Sequence, residues 1–225
     1  MHTAVITGAS RGIGSEFVVR LLDEGWRVYA GYRSDMHRLE LIENRNLVCL
    51  KLDVVDNSSI ENFVKKIDGE VDLLINNAGV PDGRWRNLTE IDDEWCLDVL
   101  NINSVGPVRM VKALYQKMSG QGLSKIVMIS SLMGSIDDCQ SGRSYAYRAS
   151  KTALNMFTVA MKKEALNDNI SFLIVHPGWV KTRMGGENAP VEMNTSVDGM
   201  MELIEQHNLE DSGRFVQYDG VDLPW

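Results

Sequence analysis

Short runs of β-branched and apolar residues alternate along this chain with longer stretches in which apolar positions return every three or four residues. Residues 2–7, 26–32, 47–52, 71–75, 125–130, 170–176 and 214–217 read as strands. Several of them, such as Val71-Asp72-Leu73-Leu74-Ile75, are almost continuously apolar, as a parallel strand covered on both faces requires. Helical patterns cover residues 13–24, 58–67, 92–118, 146–166 and 196–207. In the first of these, Ile13, Phe17, Val18, Leu21 and Leu22 fall on one side of a helix. Strand–helix alternation at this rhythm predicts an α/β fold, a doubly wound parallel sheet of about seven strands with right-handed crossovers and helices on both faces. No repeat or linker divides the chain, so one domain over residues 1–225 is expected. The irregular segments 80–89, 132–144 and 181–195 follow strands, where loops of such sheets border the ligand crevice.

Composition narrows the classes without choosing among them. An apolar content of 44% and a charged content of 24% suit a single globular domain of 225 residues. The formal charge of −8 argues against a nucleic-acid partner. Cys49, Cys96 and Cys139 are isolated and odd in number, which fits a reducing compartment and no metal site. The first strand-like run begins almost at residue 1, and no apolar run approaches the roughly 20 residues of a membrane helix. A cytoplasmic protein with no membrane partner is therefore expected.

Between the first strand and first helix lies Thr7-Gly8-Ala9-Ser10-Arg11-Gly12-Ile13-Gly14. Glycines there permit a tight turn and close backbone approach to phosphate, and a helix start favours an anion. Dinucleotide binding on a Rossmann-type sheet follows, with Gly8, Ser10, Arg11, Gly12, Ile13 and Gly14 at the pyrophosphate. An acid ending the second strand would favour a free ribose, but that strand reads Val28-Tyr29-Ala30-Gly31-Tyr32-Arg33, with no acid before Asp35. Arg33 and Arg11 suit a 2′-phosphate, so NADP(H) is preferred over NAD(H). The alternative is that both arginines are ordinary surface charges.

Tyr147 and Lys151 are four residues apart on a predicted helix and share a face. A tyrosine of ordinary pKa about 10 is a poor acid–base at neutral pH, and a nearby ammonium lowers that value. Such a pair suits delivery of a proton to a carbonyl oxygen as hydride reaches the carbon. Tyr145 lies on another face or just ahead of the helix and reads as a wall or packing residue. Ser130 and Ser131 end the fifth strand, where a hydroxyl can point into the crevice.

The Gly-x-x-x-Gly-x-Gly turn, Asn76-Asn77-Ala78-Gly79, Tyr147 with Lys151, and Pro177-Gly178 followed by Thr182, in that order, resemble the short-chain dehydrogenase/reductase family over essentially the whole chain. The resemblance implies that Asp53 and Val54 meet the adenine, although Asp53 also reads as a helix-capping or loop residue. It further implies that Asn77, Ala78 and Gly79 line the cofactor channel, that Pro177, Gly178, Val180 and Thr182 lie at the nicotinamide, and that Tyr147 and Lys151 also meet the cofactor, Lys151 holding the nicotinamide ribose. It makes Ser131 the partner of the carbonyl oxygen, with Ser130 the close alternative. Asn103 becomes the asparagine that bends its helix and anchors a water beside the lysine. Residues 145–155, 176–186 and 214–225 resemble the C-factor and Sniffer-like carbonyl reductase group. That group implies an NADPH-dependent enzyme reducing an aldehyde, ketone or quinone, and it keeps open a dinucleotide-binding regulatory or signalling protein. A homodimer or homotetramer through the helices at 92–118 and 146–166 is also implied. His176 reads as a satisfied strand-end histidine, Met184, Trp85 and Trp179 as residues facing substrate, and Trp225 as a plug tucking the tail against the body.

Overall fold

A computed structural model describes residues 1–82, 87–120 and 122–225. Trp85 lies outside the described residues. In chain order the elements are β1 (Thr3–Ile6), α1 (Gly12–Asp23), β2 (Arg27–Tyr32), β3 (Leu47–Lys51), α2 (Asn57–Val64), β4 (Leu73–Asn76), α3 (Asp93–Leu100), α4 (Gly106–Met118), β5 (Ser124–Ile129), α5 (Tyr145–Ala165), β6 (Ile170–His176), α6 (Met193–Gln206) and β7 (Arg214–Gln217). All strand pairs are parallel, in the order β3-β2-β1-β4-β5-β6-β7. The order reverses between β1 and β4, and a crevice opens beyond their carboxyl ends.

Alternation along each strand divides the core into two layers. Ala4 and Ile6 of β1, Val127 of β5 and Val175 of β6 face α1 and α6, where Phe17, Leu21, Val197 and Met200 close the layer. Val5, Leu74, Ile126 and Phe172 face the other way, against Phe63, Met110, Leu114 and Leu154 of α2, α4 and α5. Both sheet faces are covered, which explains the near-continuous apolar strands. Among the described residues no helix is long and apolar enough to cross a membrane.

The pattern at 92–118 predicts one helix, but the structure divides it. A π-helical turn at Asn101–Val105 separates α3 from α4, with the Gly106 amide reaching back five residues to the Asn101 carbonyl. Pro107 supplies the reason, since it has no N–H for the carbonyl four residues earlier, that of Asn103. Smaller differences lie at helix ends. α2 stops at Val64, because the amides of Lys66 and Ile67 reach back only three residues. α6 begins at Met193, taking three residues of the expected loop.

Thr7, just past β1, joins the two halves of the sheet. Its buried hydroxyl accepts from the amides of Asn77 (3.0 Å) and Ala78 (2.9 Å), at the end of β4. The Asn77 amide also reaches the Ile75 carbonyl at 3.1 Å, so Ala78 depends on Thr7 more heavily. Replacing the hydroxyl by a methyl strands that donor, so Thr7→Val should lose about 1–3 kcal/mol in urea unfolding while Thr7→Ser stays close to the parent.

Candidate active site

The glycine turn after β1 and the loop after β4 meet at the switch point. Gly8 and Gly12 have φ of +62° and +57°, a left-handed backbone that other residues resist. A side chain on Gly14 would come within 2.5 Å of the Asn77 side-chain nitrogen and of the Gly8 carbonyl. Space is this short because the Asn77 amide nitrogen donates to the carbonyls of both Thr7 and Gly8, at 3.0 Å each. Asn77 thus braces the turn, and Ala78 and Gly79 continue along the crevice.

The start of α1 fits an anionic ligand. Its N-cap position is Arg11, extended and without a side-chain cap, whereas α2 and α3 are capped by Asp56 and Asp92. The first-turn amides of α1 are therefore free of a competing carboxylate, the arrangement a phosphate would complete. Arg11 and Arg33 are exposed at the ends of this turn and of β2. Arg38, which the sequence reading passed over, donates to the buried Glu16 at 2.6 Å, and its amide reaches the Ser10 carbonyl at 3.2 Å. That pair ties the segment after β2 to the glycine turn.

Asp53 serves its own turn, one carboxylate oxygen accepting from the Val55 amide at 3.1 Å, while its amide donates to Ser59. Val54 packs under the start of α4, since a side chain on Gly106 would meet it at 2.9 Å. Beyond β6, Gly178 has a φ of +83° and lies against the Tyr218 ring. The Pro177 carbonyl accepts from Ser196 at 2.6 Å, and Val180 is bridged to Val191. Thr182 reaches the glycine turn, its methyl 3.7 Å from where a Gly12 side chain would start. The loops after β1, β4 and β6 therefore border one crevice.

Tyr147 and Lys151 stand on one face of α5, the Lys151 nitrogen 5.6 Å from the Tyr147 ring centre. The two serines separate. Ser130 turns inward, donating to Asn155 at 2.6 Å. Ser131 caps the next turn by accepting from the Met133 amide at 3.1 Å, and its hydroxyl interacts with that of Tyr147. The turn is seated directly on α5: a side chain on Gly134 would come within 2.9 Å of the Lys151 backbone, and Thr152 donates to the Gly134 carbonyl at 2.9 Å.

Burial governs the electrostatics. It pushes the Tyr147 phenol up to about 12, against a smaller lowering from Ser131, and the Lys151 ammonium down to about 8. The expected lowering of the tyrosine by the lysine is not what the protein alone shows, because the Lys151 nitrogen is directed to the Ile129 carbonyl at 2.8 Å. A phenol held up in this way stays protonated at neutral pH, the form needed to give a proton.

Asn103 is buried in the π-helical turn. Its side chain accepts from the Val80 amide (2.9 Å) and donates to the Val80 carbonyl (3.0 Å) and the Ser150 hydroxyl (3.1 Å). Ser150 in turn donates to the Tyr147 carbonyl at 2.8 Å. Sequence reasoning missed Ser150 and Asn155, although their spacing of three and eight residues from Tyr147 places them near its helical face. His176 differs from expectation: its Nδ1 is buried without a hydrogen-bond partner among the described residues. Burial lowers its pKa to about 4, against the pull of Asp219 and Asp138.

Comparison with known proteins finds relatives in both sequence and fold. The sequence model of the family described as short chain dehydrogenase matches residues 2–192. The C-signal of Myxococcus xanthus is 40% identical over 157 residues, covering 70% of this chain and 94% of that protein. Among solved structures, the NADPH-bound carbonyl reductase from chicken fatty liver superposes with a TM-score of 0.93 at 31% identity, covering 100% of this chain and 94% of that one. The carbonyl reductase Sniffer of D. melanogaster gives 0.93 at 30% identity, covering 100% of both chains.

The Lys151 shift carries a pH dependence. An unfolded lysine titrates near 10.5 and the folded one near 8, so between these values the unfolded chain holds the extra proton and stability rises with pH. The melting temperature of the parent should therefore gain on that of Lys151→Met from about pH 8 to 10.5, and the gap should be steady at lower pH.

Proposed function

The chain belongs to the short-chain dehydrogenase family, and on that premise we propose that it is an NADPH-dependent reductase of aldehydes, ketones or quinones, with Tyr147 as general acid. The observation that carries this reading is a protonated, half-buried Tyr147 beside Ser131, on the face of α5 that also bears the buried Lys151. The bound nucleotide would supply a hydride to the carbonyl carbon. Ser131 and Tyr147 hold the carbonyl oxygen between two hydroxyls, stabilising negative charge as it grows there. Tyr147 then gives its proton to that oxygen. Lys151, on the same face and still mostly protonated at neutral pH, would favour the phenolate left after transfer once its nitrogen turns from the Ile129 carbonyl towards the phenol.

Asn103 contributes its backbone carbonyl, which Pro107 cannot serve as an N–H donor, as the end of a water-linked path returning a proton through Lys151. Its side chain holds the loop after β4 against α5. Gly8, Ser10, Arg11, Gly12, Ile13 and Gly14 would bind the pyrophosphate, and Arg11 with Arg33 the 2′-phosphate. Asp53 and Val54 would border the adenine, Asn77, Ala78 and Gly79 the central channel, and Pro177, Gly178, Val180 and Thr182 the nicotinamide. The chicken enzyme, with its NADPH, supports NADP(H) over NAD(H).

A second reading, a dinucleotide-binding signalling protein with little turnover, rests on the 40% identity to the C-signal. A location in the cytoplasm is part of the proposal, as is a homo-oligomer. For the latter, Leu97 of α3 and Met156 and Phe157 of α5 present exposed apolar side chains that a second copy would cover.

Oxidation of NADPH over a panel of aldehydes, ketones and quinones tests the main reading. Tyr147→Phe should remove turnover while leaving NADPH binding intact, and signalling that survives this substitution would favour the second reading. Arg11→Ala with Arg33→Ala should raise the KM for NADPH by about tenfold or more, as loss of charged hydrogen bonds implies, and leave that for NADH nearly unchanged. Equal effects on both nucleotides would exclude the phosphate clamp. Met156→Glu should shift sedimentation to a smaller species, and no shift would remove this face from the proposed interface.

A further inference from the structure

The chain beyond β7 turns back on its own strand. The Gln217 amide donates to the Val221 carbonyl at 2.8 Å and the Leu223 amide to the Phe215 carbonyl at 2.9 Å, with Val216 paired to Asp222 in antiparallel fashion. Arg214 holds Asp222 from the side at 2.9 Å. The Trp225 ring then rests against Phe215, their centres 5.6 Å apart. These contacts fix where the Trp225 carbonyl points. It accepts from the Asp137 amide at 3.0 Å and from the Ser135 hydroxyl at 3.3 Å. The buried Ser135 hydroxyl accepts in turn from the Asp138 amide at 3.0 Å.

Residues 135–138 continue directly from the turn that carries Ser131. That turn is seated on α5 at Gly134, between Lys151 and Thr152. One side of the segment is thus fixed by the helix bearing Tyr147, and the other by the tail. Farther along, the loop has little holding it. Ser141, Gly142 and Arg143 are exposed, and Gly142, Arg143 and Ser144 take three left-handed conformations in succession before α5 starts. For Arg143 and Ser144 that backbone is unfavourable, so the path from Ser131 to Tyr147 does not hold itself in place.

The geometry points to Trp225 as a positioning residue for the candidate active site: through its carbonyl and its ring it holds Ser135–Asp138, and through them sets the Ser131 hydroxyl opposite Tyr147. The assignment rests on the reading of Ser131 and Tyr147 as the carbonyl-reducing pair. It also separates two regions of the crevice. Among the described residues the loops after β1 and β4 make no hydrogen bond to the tail, and the loop after β6 meets only its first residue, where Gly178 lies against the Tyr218 ring, whereas the carbonyl side is bonded to its end.

Two variants release the tail by different means. Trp225→Ala removes the ring anchor, and Leu223→Pro removes the amide bonded to Phe215. Trp225→Phe keeps an aromatic ring and serves as the rescue. In both releasing variants kcat/KM for the carbonyl substrate should fall by roughly tenfold to a hundredfold, the scale of a misplaced reacting group, with the NADPH Kd within about twofold of the parent. Amide hydrogen exchange should quicken at residues 135–138 and not at residues 8–14, and Trp225→Phe should restore both readings. Unchanged exchange at 135–138 would overturn the assignment, as would unchanged kinetics in released variants. A loss shared equally by carbonyl turnover and NADPH binding would also overturn it, as general destabilisation. If the parent itself reduces no carbonyl, it is the proposed function that fails, and exchange alone then decides whether the tail holds this loop.

Discussion

Two strands that are distant in sequence, β1 and β4, end side by side, and the loops leaving them must pass at backbone contact. That close approach is the constraint on which the rest of the site depends. It requires glycine at 8 and 14, where any side chain would collide with Ala78, with Asn77 or with the turn itself. It also requires polar groups to bond across the gap, which Thr7 and the Asn77 side chain do. Buried backbone donors and acceptors left unpaired there would cost more than the contact returns, so the network is a condition of the turn. Once it is formed, the start of α1 faces the crevice with no side-chain cap among the described residues.

The second half of the site hangs on α5. One side of this helix accepts the Ser131 turn at Gly134, and another is tied through Ser150 and Ser104 to the π-helical turn at Asn103. Tyr147 and Lys151 lie between these attachments. Their burial drives both toward the neutral form, raising the phenol and lowering the ammonium. Desolvation outweighs the single opposing contact from Ser131, so the phenol keeps its proton without any partner charge touching it.

Strand polarity explains why so much of this was legible. Parallel strands covered on both faces must be apolar throughout, so β4, β5 and β6 announced themselves, and the turn at residues 7–14 was marked by glycines no other local structure needs. The four-residue spacing of Tyr147 and Lys151 put them on one face by helix geometry alone. Helix ends were less legible. The break in the helix at 92–118 was written in Pro107, yet an apolar period runs through a π-helical turn almost undisturbed, and only the missing N–H marks it.

Local chemistry therefore determined the fold class, the order of the elements and the residue types at the crevice, because periodicity, glycine and helical spacing act over a few residues. Tertiary structure decided what depends on contacts between distant segments. It directed Ser130 to Asn155 and Ser131 to Tyr147, although the two are neighbours in sequence. It brought Arg38 to Glu16, left the His176 Nδ1 unpaired among the described residues, and set the Trp225 carbonyl on the loop 90 residues earlier. The physical reason is common to all: side-chain burial and hydrogen-bond pairing are fixed by packing between elements, and a chain read residue by residue carries no record of which elements meet.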